Sequence, residues 1–364
     1  MSNNFQTDLN WGSKQELAVV VLLIFISGLI AKIPFLINIE PELFYPRNIG
    51  TIVFPTLISY LSWRYKLSLY SWGKFILISL VPIIFMNLIP GGDNSDTFFL
   101  SSIHSLFLLL SIYGLVYVGE FWLNNNKRIE FLQYCGDLLI MSGLLLISGG
   151  LFTTVTIGLF EVVGFNIEDF YFENVAVWGI PAIPILASYL IFNNTNLVSK
   201  ISPAIAKIFT PLVFIILLIF SFATIFSEKN IFADRELLLL FNIIIIAVLA
   251  LILFYLSQIN SKNKSQFILL LSLSLISIID NLIVIYAISS RLFEFGITPN
   301  RLAVAGLNML VFFHLIIIAR QLFLAIKKEI KINNILSSIG GFLPMYVLWT
   351  FIIVFLFPII FNFK

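Results

Sequence analysis

Eleven apolar stretches follow one another along the chain, roughly residues 17 to 39, 48 to 63, 74 to 90, 98 to 119, 137 to 161, 174 to 192, 207 to 226, 236 to 257, 266 to 288, 301 to 324 and 341 to 361. Most approach the about 20 residues that cross a bilayer as a helix. Backbone N–H and C=O groups in hydrocarbon must be satisfied inside the segment, which excludes open strands, and a barrel would show short segments of alternating polarity instead. The expected fold class is therefore all-α: a polytopic transmembrane helical bundle of about eleven spans, one integral membrane domain over residues 1 to 364. No connection is long enough for a soluble domain.

Composition agrees. Charged residues make up 11% of the chain, against 60% hydrophobic, with a mean hydropathy of +1.03, where soluble chains carry about a quarter charged. The 21 basic and 19 acidic residues nearly cancel, which leaves no basic patch for nucleic acid and makes the lipid bilayer the expected partner. The first apolar run, Leu17 to Ile39, is too long for a signal-peptide core and reads as a retained span. Cys135 is the single cysteine, so no intrachain disulfide is expected, and its place beside a helix end suggests inert packing. There is no P-loop, nucleophile elbow, HExxH or His/Cys spacing, hence no expected cofactor or metal.

Lys and Arg concentrate on the cytoplasmic side of membrane proteins. On alternate sides of eleven spans they divide 14 to 6, with Lys32 inside a span; the richer side holds the N-terminus. The expectation is N-terminus inside and C-terminus outside, and it depends on the odd count. Most acidic residues, including Glu168, Asp169 and Glu173, fall on the outer side. Trp63, Trp72 and Trp122 flank inner loops as interfacial anchors do, whereas Trp178 and Trp349 lie inside spans and read as packing. Two inner connections, Asn196 to Lys207 and Lys327 to Ile339, mix Lys with aliphatic residues, as helices lying along a membrane surface do.

Ionisable groups in mid-membrane are costly, about 2.5 to 3.5 kcal/mol each on insertion scales, so each needs a reason. Asp280 lies fifteen residues into the ninth stretch. Ser274, Ser277 and Asn281 share a helix face, and Asp280 follows Ser277 by three, which makes a polar stripe that must face other helices or water. Structural hydrogen bonding and ion or proton passage are both open to Asp280. Lys32 sits at a matching depth from the outer side, where it either pairs with Asp280 or snorkels outward. His104 and His314, the only histidines, are candidates for a proton relay or for ordinary hydrogen bonding.

The central hairpin, Asp137 to Phe192, carries helix-weakening residues in both arms: Gly149, Gly150 and Thr153 in the first, Pro181 and Pro184 in the second. Broken helices free backbone groups for substrate in transporters, while small residues and Pro also serve plain helix packing. Thr298-Pro299 reads more simply, as a cap and first helical position opening the tenth span, and Asp234-Arg235-Glu236 places acids at the start of the eighth.

Six stretches carry a family resemblance: Gly149 to Phe160, Asn166 to Phe172, Val198 to Lys207, Asp234 to Glu236, Gly296 to Val304 and Trp349 to Pro358. In this order they resemble a bacterial family of polytopic membrane proteins, domain of unknown function 4153. The resemblance is strongest over residues 137 to 364. It implies a multi-pass protein of the bacterial cytoplasmic (inner) membrane and supplies neither an activity nor site residues.

The leading functional expectation is an ATP-independent permease for a small solute or ion. Its path would be lined by the hairpin and the ninth span, with Asp280, Ser277, Asn281, Lys32, Gly149, Gly150 and Thr153 as the binding set. A non-catalytic scaffold or assembly partner for envelope proteins, contacting them through the acidic outer loops, is the alternative. A lipid-acting membrane enzyme comes third, because no cluster of acid, base and histidine is visible in the chain.

Overall fold

The computed structural model describes residues 10–90, 95–119, 123–226, 235–259, 264–327 and 332–364. Among them the chain is 89% helical and has no strand. The helices are α1 (Lys14–Ile37), α2 (Pro41–Arg64), α3 (Leu69–Leu88), α4 (Asp96–Val118), α5 (Asn125–Val162), α6 (Glu168–Tyr171), α7 (Val177–Asn193), α8 (Thr195–Ile225), α9 (Arg235–Ser257), α10 (Lys264–Phe295), α11 (Pro299–Lys327), α12 (Ile332–Gly340), α13 (Leu343–Phe351) and α14 (Phe357–Ile360). Wider π-helical turns join α6 to α7 (Phe172–Ala176) and α13 to α14 (Ile352–Leu356).

Ten helical segments among the described residues are long and apolar enough to cross a membrane, so this is an all-α, multi-pass membrane protein. All eleven expected stretches are helical; α2 is the one outside the ten. Its Asn48, Thr51, Thr56, Ser59 and Ser62 lower its apolarity, and its surroundings explain why that is tolerated. Ile52, Leu57, Ile58, Tyr60 and Leu61 are buried, and its polar groups, Ser62 Oγ excepted, bond to neighbouring helices or to its own turns. The Ser27 hydroxyl of α1 donates to the Ile52 carbonyl at 2.8 Å, and Asn48 and Asn87 exchange amide hydrogen bonds with α3 at 3.2 and 3.1 Å. A helix covered by other helices needs less apolar surface than one facing lipid.

The chain divides into two compact units, Met1–Asn87 with Cys135–Ile201, and Leu88–Tyr134 with Ser202–Lys364. In the first, α1 and α7 pack so closely that the Trp178 ring occupies the space a side chain at Gly28 would need. Ala31, Ile52 and Val177 form a small apolar core there. At the other end of α1, Ser13 caps the helix through the Glu16 N–H at 3.1 Å. Glu16 is buried, accepts the Tyr60 hydroxyl at 2.8 Å and pairs with Arg64, whose guanidinium also donates to the Phe192 carbonyl at 3.1 Å.

The second unit is built on α10 and α11, with α9, α8, α4 and the α12–α14 segment around them. Its core runs through Phe241, Ile245, Ile252, Leu270, Leu273, Val284, Leu315 and Ile318. Trp349 sits on Gly306 as Trp178 does on Gly28. The chain end returns to the start of α4, where the Thr97 N–H donates to the Lys364 carbonyl at 3.0 Å. α11 opens as its sequence indicates: Pro299 is its first residue, and Thr298 Oγ1 accepts the Arg301 N–H at 3.3 Å.

Two expectations change. The hairpin arms are not broken at Gly149–Gly150 or Pro181–Pro184: α5 runs through 38 residues and α7 spans both prolines. In α5 the hydroxyls of Ser148, Thr154 and Thr156 donate back to the carbonyls of Leu144, Gly150 and Phe152 at 2.8, 3.0 and 2.8 Å, so three of the four hydroxyls of this stretch are consumed within the helix. The irregularity lies earlier, in the π turn before α7. Asn196 to Lys207, expected along the surface, belongs instead to the continuous helix α8. α12 does form a separate short helix, with Ile335 and Ile339 buried and Asn333, Asn334 and Ser338 exposed. Asp234 and Trp122 lie outside the described residues, as do the side chains of Arg235 and Glu236.

Candidate functional site

The polar stripe of α10 is buried inside the second unit. Ser274, Ser277 and Asn281 are fully enclosed and Asp280 is 1% exposed. Each has a different fate. The two serines turn back on their own helix, donating to the Leu270 and Leu273 carbonyls at 2.8 Å each. Asp280 reaches α8, where the Ser221 hydroxyl donates to both carboxylate oxygens, at 3.0 and 2.9 Å.

Asn281 begins a chain of amides across three helices. It donates to Asn308 Oδ1 of α11 at 3.4 Å; Asn308 in turn donates to Asn242 of α9 and to its own Val304 carbonyl at 2.8 Å, and Asn242 closes on Leu238 at 2.7 Å. One acceptor is left over. Asn281 Oδ1 is buried without a hydrogen-bond partner among the described residues, a cost of about 1 to 3 kcal/mol unless something else supplies a donor or cation.

On one turn of a membrane helix, Asp280 thus sends its carboxylate to α8, where one hydroxyl serves it, and Asn281 sends its amide toward α11 with one oxygen unserved. Each of these oxygen groups is suited to a proton donor or a hard cation. Asn308, Asn242 and Ser221 are site residues that the chain alone did not reveal. Each is flanked by apolar residues in its own helix, and only the packing shows that they converge.

The remaining candidates lie elsewhere. Lys32 is half-buried in the first unit, donating to the Glu173 carbonyl at 2.5 Å and to Asn174 Oδ1 at 3.1 Å, with its ammonium 4.6 Å from the Phe35 ring centre. Its acceptors belong to the π turn. A π turn loosens the regular ladder and presents carbonyls outward, so the lysine finds its partners there and is accounted for without a carboxylate. Gly149 and Gly150 have open space beside them, and no residue from 138 to 162 is buried, so they neither admit a close neighbour nor free backbone groups. Thr153 donates to the Tyr171 hydroxyl at 3.4 Å, across the hairpin.

His104 Nδ1 donates to the Leu100 carbonyl of its own helix at 2.7 Å. His314 is fully buried, stacked on Phe342 at 4.8 Å, with Nδ1 3.1 Å from the Tyr346 hydroxyl. His104 is thus held by its own helix, whereas His314 Nε2 is buried with no hydrogen-bond partner among the described residues. Among the described residues no group of three or more His, Cys, Asp or Glu is placed to hold a metal ion. The chain matches no protein-family model, no curated protein and no solved structure.

Proposed function

We propose that the protein is an ATP-independent permease for a small solute or ion, with α10 bearing the binding groups and a proton or small cation as the species best suited to them. The observation that carries this reading is the unpartnered Asn281 Oδ1 next to Asp280, both buried in the interior of a helix long enough to span the membrane. Intramembrane carboxylates are expensive and mark ion or proton pathways when they persist. Ser221 would steady the carboxylate, and the Asn308 to Asn242 chain would fix the rotamer of Asn281. Lys32, Gly149, Gly150 and Thr153, the other members of the expected binding set, belong to the first unit. The reading places the chain in a bacterial inner membrane with its N-terminus inside and C-terminus outside, in keeping with the distribution of Lys and Arg and with the family it resembles.

The test is cation flux into proteoliposomes, measured for protons, sodium and potassium under an imposed potential. Asp280→Asn should reduce the flux to that of protein-free liposomes while the protein stays folded. Undiminished flux through the variant would remove Asp280 from the path.

A second reading, a membrane partner for envelope proteins, is favoured by a different observation: the membrane-crossing part of α5 has no buried residue. A span with no buried residue leaves surface on which another protein can sit. Pulldown of a stoichiometric partner, lost on neutralising Glu168, Asp169 and Glu173, supports this reading; its absence counts against it.

A further inference from the structure

A cavity of about 370 Å³ lies in the second unit where three helix ends meet: the start of α5, the end of α9 and α12. Its wall is polar, formed by Asn126, Lys127, Glu130, Gln133, Ser257 and Asn333. The lining carries one positive and one negative side chain, and these meet each other at 2.6 Å, both about half exposed. Asn126 Oδ1 is buried and has no hydrogen-bond partner among the described residues.

Together these features describe a receptor for a zwitterion. An exposed ion pair is weak and opens at little cost. When it opens, Lys127 offers a cation to an anionic group, while Glu130 and Asn126 Oδ1 offer two acceptors to an ammonium that carries N–H donors. Gln133 is fixed by its 3.2 Å bond to Gln258, and Ser257 and Asn333 add hydroxyl and amide groups of the kind that bind phosphate oxygens. Ile129 and Leu336 form an apolar edge, and α12 beside them turns Ile335 and Ile339 inward, as an interfacial helix does. The two opposite charges and the apolar edge favour an amphiphile over a free ion.

We infer that this cavity binds the headgroup of a zwitterionic phospholipid bearing a primary ammonium, with the phosphate on Lys127 and the ammonium between Glu130 and Asn126. This site is separate from the α10 cluster and does not depend on the permease reading. A choline headgroup, whose nitrogen has no N–H, satisfies the charge but neither acceptor.

The experiment is native mass spectrometry of the full chain, exchanged from detergent with phosphatidylethanolamine, phosphatidylcholine or phosphatidylglycerol of matched acyl chains. One phosphatidylethanolamine should be retained at least about tenfold more strongly than either other lipid, an increment of one well-made polar contact. Glu130→Gln, Lys127→Gln and Asn126→Ala should each remove that preference without lowering the melting temperature. Equal retention of the three lipids, stronger retention of the anionic one, or an unchanged preference in all three variants overturns the assignment. Phosphoethanolamine without acyl chains separates the two sources of this chemistry: binding as tight as the lipid's would assign the cavity to a soluble zwitterion and overturn the lipid site.

Discussion

Arg64 and Glu16, forty-eight positions apart, form an ion pair that joins the last turn of α2 to the first turn of α1. The carboxylate is 7% exposed and the guanidinium side chain 26%, so removing either leaves a poorly solvated charge. Glu16→Gln and Arg64→Met should each destabilise the first unit by roughly 3 kcal/mol, near the low end for buried pairs because of the partial exposure of Arg64. The double variant should recover part of that loss, and thermal melts of all four proteins in one detergent measure the coupling.

Lys32 holds the π turn of the hairpin through Glu173 and Asn174. Lys32→Met should therefore raise hydrogen exchange over residues 168 to 176 and leave any flux governed by Asp280 intact. Loss of flux with unchanged exchange would restore Lys32 to the transport path.

Glycines in this chain divide by what faces them. Gly306 has the Trp349 ring against it and Gly150 has nothing. Gly306→Leu should cost about 1 to 3 kcal/mol through overpacking. Gly150→Ala should stabilise the helix by about 0.5 to 1 kcal/mol, the ordinary gain from replacing glycine inside a helix. A melting temperature lowered by Gly150→Ala would mean that α5 has a close neighbour at that depth.

Asn308 bonds to amides on two other helices. Asn308→Leu should destabilise the second unit by about 0.6 to 1.7 kcal/mol, between the average and the largest value measured for interhelical hydrogen bonds in membranes. Because it also frees Asn281 to rotate, cation affinity should fall with it, read as a rise in the half-saturating concentration in the flux assay. Asn308→Asp, which keeps an oxygen in place, should retain more affinity than Asn308→Leu.

The helices were legible because lipid demands long apolar runs and enforces internal hydrogen bonding, so all eleven stretches could be read one at a time. The polar face of α10 was legible for the same reason: Ser274, Ser277, Asp280 and Asn281 stand out by their spacing alone. What joins them was hidden. Ser221, Asn242 and Asn308 are isolated polar residues in three other helices, and which face each presents to α10 is fixed by packing. Glu16 was missed because an acid in a helix's first turn looks like an ordinary complement to the helix dipole, and only its distant partner Arg64 gives it another role. The hairpin left two readings open because Gly-Gly and Pro weaken a helix where water is the alternative hydrogen-bonding partner; in hydrocarbon that alternative is absent, and the helix continues.

The interior position of α2 bears on how this protein is made. A segment whose own apolarity falls short partitions poorly from the insertion machinery into lipid by itself. α2 is bound to α1 by the Ser27 and Tyr45 hydroxyls, which donate to the Ile52 and Ala31 carbonyls at 2.8 and 3.0 Å. Its place should therefore depend on α1: a chain mutated in α1 at Ser27 or Ala31 should lose the integration of α2 as well, read by protease protection of the α2–α3 connection.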